Sequence, residues 1–311
     1  MCELDILHNS LYQFCPELHL KRLNSLTLAC HALLESKTLT LTELGRNLPT
    51  KARTKHNIKR IDRLLGNRHL HKERLAVYRW HASFICSRNS MPIVLVEWSD
   101  IREQKRLMVL RASVALQGRS KTLGYKRLTK SNPISCQVAL YKSRPKGRKN
   151  QRSTRTNCHH PSPKIYSAST KEPWALATNL PVETRTPKQL VRIYSKRMQI
   201  EETFRDLKSP AYGLGLRHSR TSSPERFDIM LLIALMLQLT FWLVGVHAQK
   251  QGWDKHFQAN TVRNRNVLST VCLGMEVLRH SGYVITREDL LVAATMLAQN
   301  LFKHGCALGK L

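Results

Sequence analysis

The chain has 311 residues, of which 42% are hydrophobic, and this length allows two or three domains with packed cores. Its 51 Lys and Arg against 21 Asp and Glu give a formal net charge of +30, which makes a polyanion the expected partner. Nucleic acid is the first choice of partner and a membrane surface the second. The sequence has no amino-terminal signal pattern and no lipidation motif, so it predicts a cytosolic protein.

The cysteines do not form a recognisable framework. The 8 Cys lie far apart and none belongs to a C-x-x-C pair, which argues against a zinc ribbon and against a fold held by disulfides. We expect buried, reduced thiols. Cys158, His159 and His160 form one cluster of metal-ligand types, but adjacent ligands rarely converge on one ion and no second cluster follows.

The amino-terminal part predicts a succession of helices. A helical pattern covers Glu17 to Glu35, and Thr40-x-x-Glu43 forms a capping box for a short helix that ends near Leu48. A third helix is predicted from about Arg53 to Leu65. Its inward positions are apolar and its outward positions basic, and the outward set consists of Arg53, Lys55, His56, Lys59, Arg60 and Arg63.

This pair of helices favours DNA binding. The pattern resembles a helix-turn-helix whose second helix carries a single acid, Asp62, among many bases. An ordinary solvated helix is the alternative, but so one-sided a charge favours a face directed at phosphates. After a further helix from Lys72 to Cys86, the polar break SRNSMP marks a boundary near residue 90. The sequence therefore predicts a helical DNA-binding domain over residues 1–88.

The middle of the chain predicts strands. PIVLVEWSD is an apolar run typical of a fully buried strand, with Glu97 at its end, and Arg106 to Leu116 forms a second strand. Further strand-like runs lie between Lys121 and Ser143. From residue 142 to 164 there are eight Lys or Arg and no acid, as expected of a solvated loop or of a segment along DNA. PWALATNL predicts another strand, whose Trp174 is available for base stacking or for a core.

The stretch Thr186 to Lys208 predicts one helix with chemistry on one side. Thr186 can cap it, Pro187 suits its first position, and Gln189 can close a capping box. At about 100° per residue, one narrow arc collects a hydroxyl, two cations and a carboxylate, namely Tyr194, Arg197, Glu201 and Lys208. The adjacent stripe is apolar and contains Ile193, Ile200, Phe204 and Leu207. A solvated ion pair between Arg197 and Glu201 is the alternative interpretation.

The carboxy-terminal part predicts helices again. A Gly-containing basic loop, PAYGLGLRHSR, precedes a helix that begins near Ser222 and whose segment Ile229 to Val246 is almost wholly apolar. That segment is just long enough to span a membrane, but its polar interruptions and the absence of any other span favour a buried helix. Two further helices are predicted, at about Val262 to His280 and Thr286 to Lys303.

The spacing Y-x2-R-x3-E-x6-K of Tyr194, Arg197, Glu201 and Lys208 resembles the signature of the insertion-sequence-four family of bacterial DDE transposases. The resemblance implies that Glu201 is the last of three metal-binding carboxylates. It also implies that Tyr194, Arg197 and Lys208 contact the phosphates of the transposon end. Glu97 occupies the place of the family's first catalytic Asp, at the start of what resembles an RNase H-like domain.

The chain departs from that family in the middle of the domain. No Asp lies between Asp100 and Asp206, and the acids before Glu201 are Glu103, Glu172 and Glu183. None of these three follows a hydrophobic strand, so the family's second catalytic Asp has no counterpart. We infer an internal deletion near residues 120/121, after which residues 121–165 resemble a remnant of a basic β-rich insertion.

The predicted fold class is therefore α/β and multidomain. A helical DNA-binding domain is followed by an incomplete RNase H-like catalytic domain over residues 89–210 and by a helical carboxy-terminal region over residues 211–311. Glu97 and Glu201 are the candidate catalytic and metal-binding residues. The candidate DNA-binding residues are Tyr194, Arg197, Lys208, Arg53, Lys55, Lys59, Arg60, Arg63 and Trp174.

The resemblance implies a cut-and-paste transposase that uses Mg2+ to cleave and join double-stranded DNA at transposon ends in the bacterial cytoplasm, associated with the nucleoid. Since Glu97 is one methylene longer than Asp and the middle ligand is absent, we expect the catalytic activity to be lost or very low. The alternative function is a non-catalytic DNA-binding protein that occupies transposon ends or inhibits an intact transposase. A membrane protein with a single span is the remaining alternative.

Overall fold

A computed structural model describes most of the chain outside the basic middle segment. The described residues are 2–36, 38–86, 94–100, 108–114, 121–126, 137–142, 174–178, 185–210, 213–262 and 264–309. They divide into two compact units, which are described separately: Met1–Leu128 with Arg197–Lys310, and Thr129–Lys196 with Leu311. Several residues considered above lie outside the described part, namely Glu103, Cys158, His159, His160, Glu172, Glu183 and the run 143–164.

The first unit begins with five helices. They are α1 (Cys2–Phe14), α2 (Leu20–Glu35), α3 (Leu41–Arg46), α4 (Thr54–Leu65) and α5 (Arg68–Cys86). The sequence analysis predicted four of them and missed α1, although Leu4, Leu7 and Leu11 recur at helical spacing and are buried. Asn67 caps α5 by accepting the Leu70 N–H at 3.0 Å, so this helix begins four residues earlier than predicted.

Helices α3 and α4 form the predicted helix-turn-helix-like pair. The Thr40 hydroxyl accepts the Glu43 N–H at 3.3 Å and starts α3, as the capping pattern indicated. The turn is held by Asn57, a buried polar residue of α4 whose side-chain carbonyl accepts a hydrogen bond from the Thr50 hydroxyl at 2.7 Å. This bond satisfies the buried amide and sets where α4 leaves the turn.

The core of the first unit is built around α8 (Pro224–Lys250). Ser223 accepts the Arg226 N–H at 3.3 Å, and Pro224 occupies the first turn, where its missing N–H has no cost. This helix is the one in the described part of the chain that is long and apolar enough to cross a membrane, yet 94% of its most apolar window is buried. That burial is typical of the core helix of a globular protein and agrees with the preferred interpretation of this segment.

Two helices complete the first unit, α9 (Thr270–Arg279) and α10 (Arg287–Gly309). The prediction that α9 begins near Val262 was wrong, because Ser269 caps it by accepting the Cys272 N–H at 3.2 Å. Helices α8 and α9 approach closely at Gly245, where a Cβ would lie 1.9 Å from the Thr270 carbonyl oxygen. No other residue type fits there without moving one of the helices.

A three-stranded antiparallel sheet in the order β1-β2-β3 also belongs to the first unit. Its strands are β1 (Val94–Asp100), β2 (Met108–Val114) and β3 (Lys121–Lys126). Leu95, Val109 and Ser113 are buried on one face, whereas Val94, Val96 and Met108 on the other face are exposed. The prediction of a fully buried first strand was therefore wrong. Glu97 lies at the middle of β1 rather than at its end, and it faces the buried side.

The second unit contains a two-stranded antiparallel sheet of β4 (Gln137–Tyr141) and β5 (Trp174–Thr178), together with α6 (Pro187–Ser195). Leu176 of β5 is buried, whereas Val138 and Leu140 of β4 are exposed. The predicted capping box of α6 is present. The Thr186 hydroxyl accepts the Gln189 N–H, and the Gln189 side chain accepts the Thr186 N–H at 2.8 Å.

Candidate functional site

The signature stretch forms two helices, which corrects the prediction of one continuous helix from Thr186 to Lys208. Helix α6 ends at Ser195, Lys196 and Arg197 form a turn, and α7 runs from Met198 to Lys208. The Lys196 N–H bonds to the Ile193 carbonyl at 3.1 Å, a three-residue step that tightens the end of α6. The 100° projection across this turn is therefore invalid, although the predicted apolar residues Ile193, Ile200, Phe204 and Leu207 are all buried.

In the first unit, Arg197 joins the two candidate catalytic carboxylates. Its Nη1 pairs with Oε1 of Glu97 on β1, and its Nη2 lies 2.9 Å from Oε1 of Glu201 on α7. Glu97 is mostly buried, with 12% of its side chain exposed, whereas 41% of Glu201 is exposed. A guanidinium can serve both acids because its nitrogens form a planar fork. The resemblance implied that Arg197 contacts DNA phosphate, whereas its described contacts are with these two carboxylates.

The protonation of Glu97 reflects this crowded setting. Burial raises its pKa above the ordinary value of 4.5, and the Glu201 carboxylate raises it further, while the Arg197 guanidinium acts in the opposite direction. The second oxygen of Glu97, Oε2, is buried and accepts no hydrogen bond from the described residues. A buried acid with one paired and one unpaired oxygen holds its negative charge at a cost.

Two more cations, Arg111 and Lys208, lie near this face of the sheet, and both contact the ring of Phe204. Arg111 of β2 is fully buried, lies directly across the strands from Glu97, and places its guanidinium carbon 5.3 Å from the centroid of the Phe204 ring. The Lys208 ammonium lies 5.4 Å from that centroid and donates to the Ser99 hydroxyl at 2.5 Å. Cation–π contacts of this kind contribute about 0.5–2 kcal/mol each. Phe204 thus positions Lys208 beside the carboxylates.

A cavity of about 330 Å³ opens over this group of side chains. Glu97, Ser99, Glu201 and Lys208 line it, as do Arg205 and Arg217, two bases that the sequence analysis did not select. Strand periodicity contained part of the missing information, since Glu97 and Ser99 are two residues apart and must share a face. Arg111 carried no such local signal, because its position opposite Glu97 depends on the strand register.

The basic face predicted for α4 is also present in the first unit. Arg53, Lys55, Lys59, Arg60 and Arg63 are exposed, and Ile61, Leu64 and Leu65 are buried. The one acid of this helix, Asp62, pairs with Arg226 of α8. Asp62 is half exposed, but its charge is paired with Arg226, and the fully exposed charged residues of α4 are all bases.

The remaining candidate residues lie elsewhere. Tyr194 is partly buried on α6 and belongs to the second unit. Trp174 is the first residue of β5, and its side chain lies outside the described part of the structure. Their predicted contacts with DNA stay predictions.

The acids around Glu97 do not fit a site for two divalent ions. Among the residues that the structure describes, no group of three or more His, Cys, Asp or Glu side chains is placed to hold a metal. Two carboxylates are present, and the Arg197 guanidinium already neutralises one oxygen of each. A magnesium ion needs near-octahedral oxygen coordination at about 2.0–2.1 Å, which this donor set does not supply.

The site therefore combines a carboxylate pair, a ring of bases and a separate basic helix, as expected of a protein that acts on a polyanion. A family profile described as "Transposase DDE domain" matches residues 46–239, which is more than half of the chain. The chain belongs to this family of DDE transposases. No curated protein and no solved structure shows significant similarity to it. Members of the family typically use a divalent metal, act on DNA, and are soluble and cytoplasmic.

Proposed function

We propose that this protein is a transposase of the insertion-sequence-four type that binds the double-stranded ends of a transposon but has lost most or all of its catalytic activity. Family membership supports transposition as the ancestral role. The spacing of Tyr194, Arg197, Glu201 and Lys208 supports the narrower assignment. The net charge of +30 supports DNA as the partner in the bacterial cytoplasm, in association with the nucleoid.

The bridge from Glu97 through Arg197 to Glu201 carries the proposal of lost activity. In-line phosphoryl transfer in the intact family relies on three acids that hold two Mg2+ ions against the attacking and the leaving oxygen. Here a guanidinium lies between the two recognisable acids. A single arginine neutralises their charge but supplies no Lewis acid that activates water or a 3′-hydroxyl, so strand cleavage has no attacking group prepared for it.

An internal deletion accounts for the missing third acid. The sheet passes from β2 to β3 within a short stretch of chain, and β3 begins at Lys121, next to the proposed junction at residues 120/121. We propose that the deleted block contained the strand that carries the family's second catalytic Asp. The RNase H-like layout and the domain ranges 1–88, 89–210 and 211–311 belong to this proposal.

DNA binding is proposed to survive because it depends on other residues. The exposed bases of α4 need neither metal nor the missing strand, and Lys208 is held beside the cavity by Phe204 and Ser99. The resemblance assigns Tyr194 and Arg197 to the DNA contact, and Trp174 is proposed to stack on an exposed base. The alternative role as a dedicated inhibitor of an intact transposase is not favoured by the family match, although an intact transposase remains a candidate partner.

The test incubates the purified 311-residue protein with a supercoiled plasmid that carries transposon ends, in Mg2+ or Mn2+. We expect no nicking or strand transfer above a no-protein control, together with salt-sensitive binding of the same DNA. The matched variant is Glu201→Ala. Nicking by the wild type that this variant abolishes would contradict the loss of activity. Absence of DNA binding at low salt would instead contradict the DNA-binding half of the proposal.

A further inference from the structure

A second cavity in the first unit lies apart from the carboxylate site. It measures about 540 Å³, is open to solvent on one side, and is lined by the start of α3, the end of α4 and the segment that leads into α8. We propose that this cavity, called here the α3–α8 cavity, holds the phosphodiester backbone of a DNA strand. The inference rests on the proposed function, since it assumes that the protein binds DNA, and it adds a specific second contact.

The polar lining of the α3–α8 cavity favours an anion. Arg220, His218 and Arg226 supply basic groups, and none of the described residues that line the cavity is acidic. Arg220 is exposed and makes no hydrogen bond or ion pair with the described residues. Arg226 uses Nη2 to pair with Asp62, which leaves other N–H groups of its guanidinium for an anion. A phosphate oxygen is the ligand for which such forks are suited.

Hydroxyl groups add to this preference. Thr42 and Ser222 line the α3–α8 cavity, and their hydroxyls have no hydrogen-bond partner among the described residues. Hydroxyls next to guanidinium groups are common contacts of phosphate oxygens in protein–DNA complexes. Glu225 does not line the cavity. Its carboxylate accepts a hydrogen bond of 2.8 Å from the hydroxyl of Ser223, which does line it.

The apolar part of the wall suits the remainder of a nucleotide. Leu41, Leu65 and Met230 line the α3–α8 cavity and offer a surface for a deoxyribose ring. Its volume lies within the range of about 300–1,000 Å³ that is usual for small-ligand pockets, so a phosphate and its sugar fit without expansion of the cavity. A free anion would use the basic and hydroxyl groups but not these apolar residues.

The position of the α3–α8 cavity connects it to the predicted DNA-binding helix. Leu65 is the last residue of α4, and Arg63, two residues earlier, is exposed. The Asp62 to Arg226 pair joins the same end of α4 to the first turn of α8. A strand that follows the basic face of α4 towards its carboxyl end therefore arrives at the cavity.

The short turn that follows Gly215 contributes one residue to each of the two cavities. Gly215 has φ +62°, and a Cβ at this position would lie 2.8 Å from the Thr38 side chain. The 3₁₀ turn Leu216–His218 follows directly. In this turn, Arg217 lines the cavity of about 330 Å³ over Glu97 and Glu201, and His218 lines the α3–α8 cavity. One short turn thus presents adjacent residues to both.

The first experiment reverses one charge. Wild type and Arg220→Glu are titrated into a fluorescent duplex of about 25 base pairs at several salt concentrations, and anisotropy reports binding. We expect Arg220→Glu to weaken binding about 10-fold and to reduce the slope of log K against log salt by about 1. The control is Arg287→Glu, which makes the same charge change at an exposed residue without a partner in the described structure. We expect less than about a 2-fold effect from it.

The second experiment fills the cavity without changing the charge. Thr42→Phe places a ring at the mouth of the α3–α8 cavity, and Thr295→Phe makes the same change on an exposed turn of α10. We expect Thr42→Phe to lose about 5-fold in DNA affinity and Thr295→Phe to bind DNA as the wild type does. The thermal midpoints of both variants should stay close to that of the wild type. If Arg220→Glu and Thr42→Phe bind DNA as their controls do, the proposed contact is wrong even though the protein binds DNA.

The third arm separates DNA from a free anion. Inorganic phosphate at about 10 mM is added in a thermal melt of wild type and Arg220→Glu. A rise in melting temperature that depends on Arg220, combined with unchanged DNA affinity of the variant, would assign the cavity to a free anion and overturn the proposal. If the wild type binds no DNA at low salt, both the DNA-binding part of the proposed function and this inference fail.

Discussion

The basic face of α4 and the carboxylate site on β1 and α7 use the same interaction with opposite results. On α4, an arginine from another helix pairs with the single acid, Asp62, and leaves the outer face purely basic. At the site, Arg197 pairs with Glu97 and Glu201 and offsets the negative charge of these two candidate metal ligands. The comparison teaches that one arginine can leave the exposed charges of a helix purely basic, whereas another can join two acids into an ion-pair network.

The largest expected effect concerns α4. Replacing Lys59, Arg60 and Arg63 together by Ala should weaken duplex binding by about 10- to 100-fold, because three phosphate contacts are lost. The slope of log K against log salt should fall by about 3 in the same titration. Anisotropy over a range of salt concentrations measures both quantities.

Its control removes the same charge from another surface of the first unit. The control variant replaces three exposed bases by Ala, namely Lys255, Arg265 and Arg287. If this control weakens binding as much as the α4 variant, net charge rather than the basic face of α4 accounts for affinity. The first half of the comparison would then be wrong.

The second prediction breaks the bridge at the site. Arg197→Ala should lower the free energy of unfolding by about 1–2 kcal/mol, because it leaves two carboxylates side by side without their shared cation. That figure is reduced for solvent screening, since 32% of Arg197 and 41% of Glu201 are exposed. We expect Mn2+ to raise the melting temperature of this variant and not that of the wild type.

Arg205→Ala is the matched control for the bridge. Arg205 lies on α7, as Glu201 does, and among the described residues its ion pair is with Glu202, three residues away on a more exposed surface. We expect less than about 0.5 kcal/mol from its loss and no response to Mn2+. Stabilisation of the wild-type protein by Mn2+ would show that a metal binds in spite of Arg197, and the proposed loss of activity would lose its main support.

The basic face of α4 and the carboxylate site also show how much of the structure could be predicted from the sequence. The basic face of α4 was predicted with its individual residues, because helical periodicity and the contrast between bases and leucines are both local signals. The N-caps at Thr40 and Thr186 were predicted for the same reason, since capping acts within four residues. Buried α8 was recognised by its apolar length, with its few polar residues arguing against a membrane span.

The arrangement at the site was less accessible. The family resemblance grouped Glu97 with Glu201, but the pairing of Glu97 with Arg197 joins residues 100 positions apart and was not predicted. The continuous projection through Lys196 assumed an unbroken helix, and the turn there invalidated it. Arg111 was missed because only the strand register places it across from Glu97. Interactions of this range depend on the assembled sheet and not on local spacing.

The smallest expected effect is on how the free energy of unfolding changes with pH. Glu97 contributes to this change because its burial raises its pKa. Its folded pKa lies above the ordinary 4.5, so the folded protein binds this proton more tightly than the unfolded chain. The stabilisation is fully present below about pH 4.5 and is lost as pH rises through the folded pKa. Glu97→Gln cannot ionise and keeps a neutral side chain throughout. The stability of Glu97→Gln relative to wild type should therefore increase between about pH 4 and pH 7.

Urea denaturation of both proteins at several pH values across that range measures the difference. Glu43→Gln is the control, because Glu43 lies on α3 and pairs with Arg46 at the surface at 2.9 Å. Subtracting the wild-type curve removes the contribution of all other acids, which the variants share. A difference that stays flat or falls with pH would mean that the Arg197 guanidinium outweighs burial at Glu97. The site would then hold its carboxylates fully charged, as a metal site requires, and the contrast with α4 would weaken.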